Sequence, residues 1–305
     1  MNRFSSAPGH RKAFTLLELL TAMAVVALLV TGLMMVADRT GSVWVRGENQ
    51  IETRRNARAS LHLISRDLRN AVLPVAGVPA AGASNLRFVL NPADSGLPPE
   101  ILNPDALFWQ ATTASDATRG EIATVGYFVR LTSEAGAPKL KLCRFFVNPS
   151  AQDDYRIYQA GTGFDWLSPA ILDAYTSASA DTAEKFRGLL AEDVLGFWVR
   201  CLDPDGEPIT QTAALDPYPG NRYDSNLGYA YRDGTIAVSP PALPAAVEIT
   251  LVILDSRSAA RLSAADVARF RTEEPADAAA LIATLPEPLR ASARVVSTKI
   301  LLPRS

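Results

Sequence analysis

The stretch Arg11-Lys12-Ala13-Phe14-Thr15-Leu16-Leu17-Glu18-Leu19-Leu20 opens an apolar run that continues to Ala37. From Phe14 to Ala37 the run is 24 residues long and holds one charge, Glu18. At 1.5 Å per residue such a helix reaches about 36 Å, enough to cross a hydrocarbon core of roughly 30 Å with some tilt. A secretory signal has a shorter apolar core, roughly 7 to 15 residues, and ends at a small-residue cleavage site. This run instead continues through Met34-Met35-Val36. Arg11 and Lys12 precede it and the next basic residue is Arg39. That asymmetry predicts a cytoplasmic N-terminus and an exported bulk, residues 45 to 305. Glu18, so near the start of the run, is costly in lipid unless it reaches the headgroups or finds a partner.

The whole chain has 305 residues, with 30 basic and 32 acidic side chains and a net charge of −2. No general attraction to nucleic acid follows from that balance. At 48% hydrophobic residues the chain is too apolar to be disordered, and its 21 Pro and 18 Gly interrupt it too often for a helical repeat. The two histidines, His10 and His62, argue against a His-rich metal centre and most Ser or Cys hydrolase triads. The sequence contains no Walker A loop, nucleophile elbow or dinucleotide fingerprint. No catalytic residue, metal site or cofactor is therefore assigned. Asp203, Asp205, Asp216 and Asp224 fall in predicted loops but lack EF-hand spacing, and turn formation explains them better than calcium. Cys143 and Cys201 lie in separate predicted strands. An exported domain permits a disulfide between them, and two buried thiols are the alternative.

Beyond the span, Ala57, Leu61, Ile64, Leu68 and Val72 recur at spacings of four and three. Arg55, Arg58, Arg66 and Arg69 take other positions, as on a helix whose apolar stripe packs on a sheet while its charges face water. This predicts helix from Phe14 to Leu73, about 90 Å if unbroken, with Pro74 as its stop and Gly32, Gly41 and Gly47 as weak points. Residues 74 to 85 read as a linker. Six strands follow: Leu86 to Leu90, Ile122 to Leu131, Lys139 to Val147, Leu195 to Leu202, Val247 to Leu254 and Val295 to Leu302. Glu134-Ala135-Gly136 reads as a hairpin turn and Asp203-Pro204-Asp205-Gly206 as a tight turn. Asp181 to Asp193 reads as a short helix, and Ser263-Ala264-Ala265-Asp266 as the capped start of another. The loop Asp216 to Asp233, with Tyr218, Tyr223, Tyr229 and Tyr231, is either a contact surface or packed on its own sheet. The fold class is α+β, a long N-terminal helix packed on an antiparallel sheet head with helical and loop insertions.

The segment from Arg11 to Leu20 resembles the processing motif of type IV prepilins and type II secretion pseudopilins. That motif has a short basic leader, a small residue before the cut, Phe after it, Glu four residues further on, and an uninterrupted apolar helix. Ala13 stands where Gly is usual. The resemblance implies cleavage by prepilin peptidase between Ala13 and Phe14, N-methylation of Phe14, and a mature chain of 292 residues. It implies that Arg11 and Lys12 supply the leader charge, and that Glu18 pairs with a neighbouring subunit's amine during assembly. Arg54 to Leu61 and Arg66 to Ala71 resemble the corresponding helix of J-type minor pseudopilins. Lys141 to Phe146, Val194 to Arg200 and Ala246 to Asp255 are similar to the head of that type. Val247 to Arg261 and the last strand resemble more closely a group of large prepilin-like proteins, the Verru_Chthon cassette C proteins.

These likenesses imply a structural subunit rather than an enzyme, belonging to a type IV pilus or a type II secretion pseudopilus. The expected parts are a leader (1–13), a transmembrane helix (14–37), an amphipathic helix (38–73) and an exported β-rich head (74–305). The expected place is the inner membrane, single-pass, with the head periplasmic and the subunit in a filament after assembly. Expected partners are prepilin peptidase, other pilin or pseudopilin subunits, an inner-membrane assembly platform and membrane lipid, without nucleic acid. The large head points to a minor subunit, because bulk crowds a repeating shaft. The alternative is an uncleaved signal-anchored protein whose exported β-domain binds or catalyses.

Overall fold

The computed structural model describes residues 15–72, 86–92, 97, 101, 104–115, 120–134, 136–151, 153–157, 165–176, 187–211, 221–272 and 275–302, with backbone alone at 41–43, 45–46, 48–50 and 270–272. The chain divides between Ile51 and Glu52 into two compact units. Helix α1, Leu16–Arg69, contributes to both. In the first unit it is built from Leu, Ala, Met and Val, and the helix continues through Gly32, Gly41 and Gly47. Its stretch Leu16–Thr40 is 25 residues long with a mean hydropathy of 2.5, long and apolar enough to cross a membrane.

In the second unit the helix turns amphipathic. Ala57, Leu61, Ile64 and Leu68 are buried while Arg55, Arg58, Arg66 and Arg69 are exposed, as the spacing predicts. The helix ends at Arg69, earlier than the predicted Leu73. Asn70 donates its side-chain amide to the Arg66 carbonyl (2.9 Å), and Ala71–Val72 leave as strand β1 to pair with Ala111 and Gln110. Sheet pairing takes the backbone groups that another helical turn would have used, so no proline is needed to stop the helix. Pro74 lies outside the described residues.

The larger sheet is antiparallel. It contains β2 (Val89–Leu90), β3 (Ala106–Ala111), β4 (Ala123–Glu134), β5 (Ala137–Val147), β6 (Leu189–Glu192) and β8 (Tyr223–Asp224), in the order β6-β5-β4-β3-β2-β8 with β1 also on β3. A three-stranded antiparallel sheet has the order β12 (Arg294–Leu301), β11 (Ala246–Ile253), β7 (Val194–Leu202). β9 (Tyr229–Tyr231) and β10 (Ile236–Val238) form a separate hairpin. Helices α2 (Pro169–Tyr175), α3 (Ser256–Ala259), α4 (Ala264–Thr272), α5 (Ala278–Thr284) and α6 (Glu287–Ser292) complete the head.

One core joins the α1 stripe to Trp109, Tyr127, Val129 and Leu142 of the larger sheet and to Phe197, Val199, Val247 and Ile249 of the smaller. A second lies on the other face of the larger sheet, where Phe108, Phe128, Cys143 and Phe145 meet Trp166, Ile171 and Leu172. Each large apolar side chain fully buried here contributes about 1.5–3 kcal/mol. Two glycines are required by close approach: a Cβ at Gly126 would fall 2.2 Å from the Phe108 ring, and one at Gly196 would fall 2.3 Å from the Trp198 ring.

All six predicted strands are present with shifted ends. β1, β3, β6, β8, β9 and β10 were not anticipated. Leu189–Glu192 is a strand on β5 rather than the end of a helix, and 181–186 lie outside the described residues. The hairpin joins Glu134 to Ala137, with Gly136 at φ +82 and residue 135 outside the described residues. Asp203 closes the second turn by accepting from the backbone N–H of Asp205 and of Glu207 (both 2.9 Å). The start of α4 carries a reciprocal cap: Asp266 N–H donates to Ser263 Oγ and Ser263 N–H to Asp266 Oδ2 (both 3.1 Å). In the tyrosine loop Tyr223 is buried and donates to the Ala242 carbonyl (2.8 Å), which favours packing on its own sheet. Tyr218 lies outside the described residues.

Candidate processing and assembly segment

Thr15 is the first described residue, and it starts α1. The Glu18 N–H donates to Thr15 Oγ1 (3.3 Å) and to the Thr15 carbonyl (3.0 Å). A hydroxyl at the cap satisfies one of the free N–H groups that every helix start leaves. The acidic side chain in the first turn is also favourable at the positive end of the helix dipole. Thr15-Leu16-Leu17-Glu18 therefore has a local role in starting the helix as well as any role in assembly. The signal was legible as a Thr followed three residues later by Glu.

Further along the span the hydroxyls are satisfied within the helix. Thr21 Oγ1 donates to the Glu18 carbonyl (3.0 Å), Thr31 to Ala27 and Thr40 to Val36 (both 2.8 Å). Such pairing suits a helix that crosses a membrane, since hydrocarbon offers no partner to a bare hydroxyl. None of the span's most apolar window is buried. Leu16, Leu28, Leu33 and Met34 are among many large apolar side chains left exposed. Such a continuous apolar surface calls for lipid or another chain to cover it. Glu18 is exposed, and its carboxylate has no partner among the described residues. Arg11, Lys12, Ala13 and Phe14, the leader charges and the residues flanking the expected cut, lie outside the described residues.

In the head, a second acidic residue of α1 is fully partnered. Asp67 is buried. Its Oδ2 accepts from Tyr127 Oη (2.6 Å) and Arg144 Nε (2.8 Å), and Arg144 Nη2 lies 2.8 Å from the same oxygen. Arg66 approaches Oδ1 at 3.5 Å. The Asp67 carbonyl accepts from Trp109 Nε1 (3.3 Å). Arg144 also stacks over the Phe146 ring, 4.1 Å from its centroid. Burial, with the Asp67 charge beside it, pushes the Tyr127 hydroxyl well above the usual phenol range. The group ties α1 to β4 and β5. Nothing in the spacing of α1 singles out Asp67.

Cys143 and Cys201 are both free and buried. They belong to different cores, Cys143 under α2 and Cys201 with the α1 stripe. Burial pushes the Cys143 thiol up to about 12 and raises that of Cys201 as well. His62 is exposed on α1. Asp205 is held low by its hydrogen bond and ion pair with Arg232. Asp224 Oδ1 accepts from the Asn226 N–H (2.9 Å), so it too shapes a turn. Asp216 lies outside the described residues. Among the described residues no three His, Cys, Asp or Glu side chains are grouped to hold a metal ion.

The profile of a family described as a prokaryotic N-terminal methylation motif matches residues 9–34. No curated protein matches the chain. The matched residues contain the basic pair, Ala13, Phe14, Glu18 and much of the apolar helix. Such a motif implies processing by prepilin peptidase and assembly with other pilins, and points to a structural rather than a catalytic protein. The apolar helix is compatible with a single-pass membrane anchor. The methylation motif and the N-terminal apolar helix together fit a prepilin-like protein, a pilin or pseudopilin.

Proposed function

We propose that this chain is a minor prepilin-like subunit of a type IV pilus or type II secretion pseudopilus. Residues 1–13 are its leader, 14–37 its membrane helix, 38–73 an amphipathic continuation and 74–305 the exported head. It is cut between Ala13 and Phe14, methylated on Phe14, and held before assembly in the inner membrane with its N-terminus cytoplasmic and its head periplasmic. Arg11 and Lys12 hold the leader on the cytoplasmic side. Glu18 pairs with the N-terminal amine of a neighbouring subunit, giving its carboxylate a partner in the filament core. The assembly platform and membrane lipid are its other partners.

The observation that carries this reading is the methylation motif over residues 9–34 overlapping a helix with none of its most apolar window buried. The J-type likeness, and the closer one to the Verru_Chthon cassette C proteins, rests on segments of α1, β5, β7 and β11. The minor role rests on the size of the head. The test is the mass of the N-terminal peptide of native protein extracted from membranes, with and without the peptidase. A chain beginning at methylated Phe14 only when the peptidase is present is the expected result. Retention of residues 1–13 in both would favour an uncleaved signal anchor with a binding or catalytic head.

A further inference from the structure

The edges of the two sheets differ. In the larger sheet the outer strands are short, four residues in β6 and two in β8, lengths that offer little for another chain to pair with. In the smaller sheet one side of β7 is covered, with Pro104 bridging to Phe197 and Pro208 to Leu202. The remaining edge is β12, eight residues long. Its register with β11 is unbroken from Arg294 to Leu301, so no bulge turns it aside, and it contains no proline. Among the described residues no backbone group bonds to its outer side. Val295 and Leu301 on its outer face are 49% and 71% exposed.

A cavity of about 600 Å³ adjoins this edge, lined among others by Val295 of β12, Trp198 and Arg200 of β7, Glu248 of β11, and Ala279 and Ile282 of α5. The Trp198 ring lies against Gly196, and its indole N–H is donated to the Pro275 carbonyl (3.4 Å), so the floor is fixed. The register sets Arg200, Glu248 and Lys299 in one row across the three strands. Charge alternates along that row, and its next position calls for a carboxylate. Lys299 is exposed, with its ammonium beside Gly206 and no ion pair among the described residues. β12 carries Arg294 and Lys299 and no acid. A second copy would bring two more cations to the seam and no anion.

We propose that β12 and the adjoining cavity are a docking site for an extended acidic segment of another protein. That segment adds as a fourth strand beside β12 and seats an apolar side chain against Trp198. Backbone hydrogen bonds supply affinity in this mode, while the cavity and the charged row supply selectivity. The site stands whether or not the N-terminus is processed.

The test uses the full chain in nanodiscs and fluorescein-labelled octapeptides, one alternating valine and aspartate and its twin alternating valine and lysine. Fluorescence polarisation should show the acidic peptide bound at least about tenfold more tightly than its twin. N-methylation of one alternate set of its amides should abolish binding, and methylation of the other set should leave it, because a strand turns only half its N–H groups toward its neighbour. Lys299→Glu should reverse the preference and Lys299→Gln should cancel it, with thermal unfolding unchanged. Ala279→Phe, which fills the cavity, should weaken the acidic peptide several-fold. Equal affinity for the twins, binding of neither, equal tolerance of both methylation sets, or pairing of the chain with itself through β12 would overturn the proposal.

Discussion

The two ends of α1 each carry a carboxylate on an apolar surface, and the chain treats them differently. In the head, Asp67 is buried and the fold itself supplies Tyr127 and Arg144 to hold it. In the span, Glu18 stands among exposed leucines with no side-chain partner among the described residues. A charge removed from water needs an opposite charge and hydrogen-bond donors, or it destabilises whatever buries it. Where the chain buries the acid itself, it encodes the partner. Where something else must cover the helix, the partner has to come with the cover. That contrast separates the half of α1 that packs within the head from the half whose apolar surface is left uncovered.

Breaking the contrast at Asp67 should give the largest effect on folding. Asp67→Ala leaves Arg144 and the Tyr127 hydroxyl without their acceptor, at a cost of about 3–5 kcal/mol. Denaturant unfolding of the full chain in detergent measures it. Asp67→Leu combined with Arg144→Met should recover part of the loss, since an apolar pair leaves no uncompensated charge. A loss below about 1 kcal/mol in the single variant would mean that the pair contributes no more than a surface ion pair.

An alkaline titration sharpens the comparison by reporting on the head alone. The Cys143 thiol is raised from its ordinary 9.0 to about 12 by burial. Above pH 9 the unfolded chain releases this proton while the folded chain keeps it until about 12. The unfolded state then binds fewer protons, so stability falls as pH rises through that window, by about 1.4 kcal/mol per pH unit per thiol. Below pH 9 the group has no effect. Cys143→Ala should flatten the slope by about one proton, leaving the shares of Cys201 and of the buried Tyr127 and Tyr223 hydroxyls, all raised in the same sense. An unchanged slope would mean that Cys143 is already accessible in the folded head.

The same contrast explains what could be read from the sequence. The N-terminal apolar helix, the α1 stripe and strands β2, β4, β5, β7, β11 and β12 were legible because apolar, β-branched, aromatic or periodic residues mark them locally. β3 was not, because Ala106-Leu107-Phe108-Trp109-Gln110-Ala111 is buried on both faces and so shows no alternation. β6 was hidden because Leu189-Leu190-Ala191-Glu192 is made of good helix formers, and its pairing with β5 overrides that preference. The two-residue strands β1 and β8 exist only through their partners. Asp67 has no local signal to mark it, because its Arg144 partner lies 77 residues away in sequence. The N-terminal motif is the opposite case, a linear pattern readable without any tertiary contact.

The smallest effect on folding should come from Glu18→Ala, and it is the most informative for the proposed function. Glu18 contributes its backbone N–H to the Thr15 cap, and alanine keeps that donor. The lost carboxylate at the helix start is worth about 0.3–1 kcal/mol to the helix dipole, and alanine's higher helix propensity offsets part of it. Unfolding of the head should therefore shift by less than about 0.5 kcal/mol, and membrane insertion should persist because the span only becomes more apolar. Incorporation into filaments, scored by the subunit's recovery in sheared fractions, should drop sharply. Thr15→Ala gives the control, since it removes the capping hydroxyl and leaves the acid. If both variants lose assembly equally, the segment works by starting the helix. If Glu18→Ala alone loses it, the carboxylate meets its partner between subunits, as Asp67 meets its own within the head.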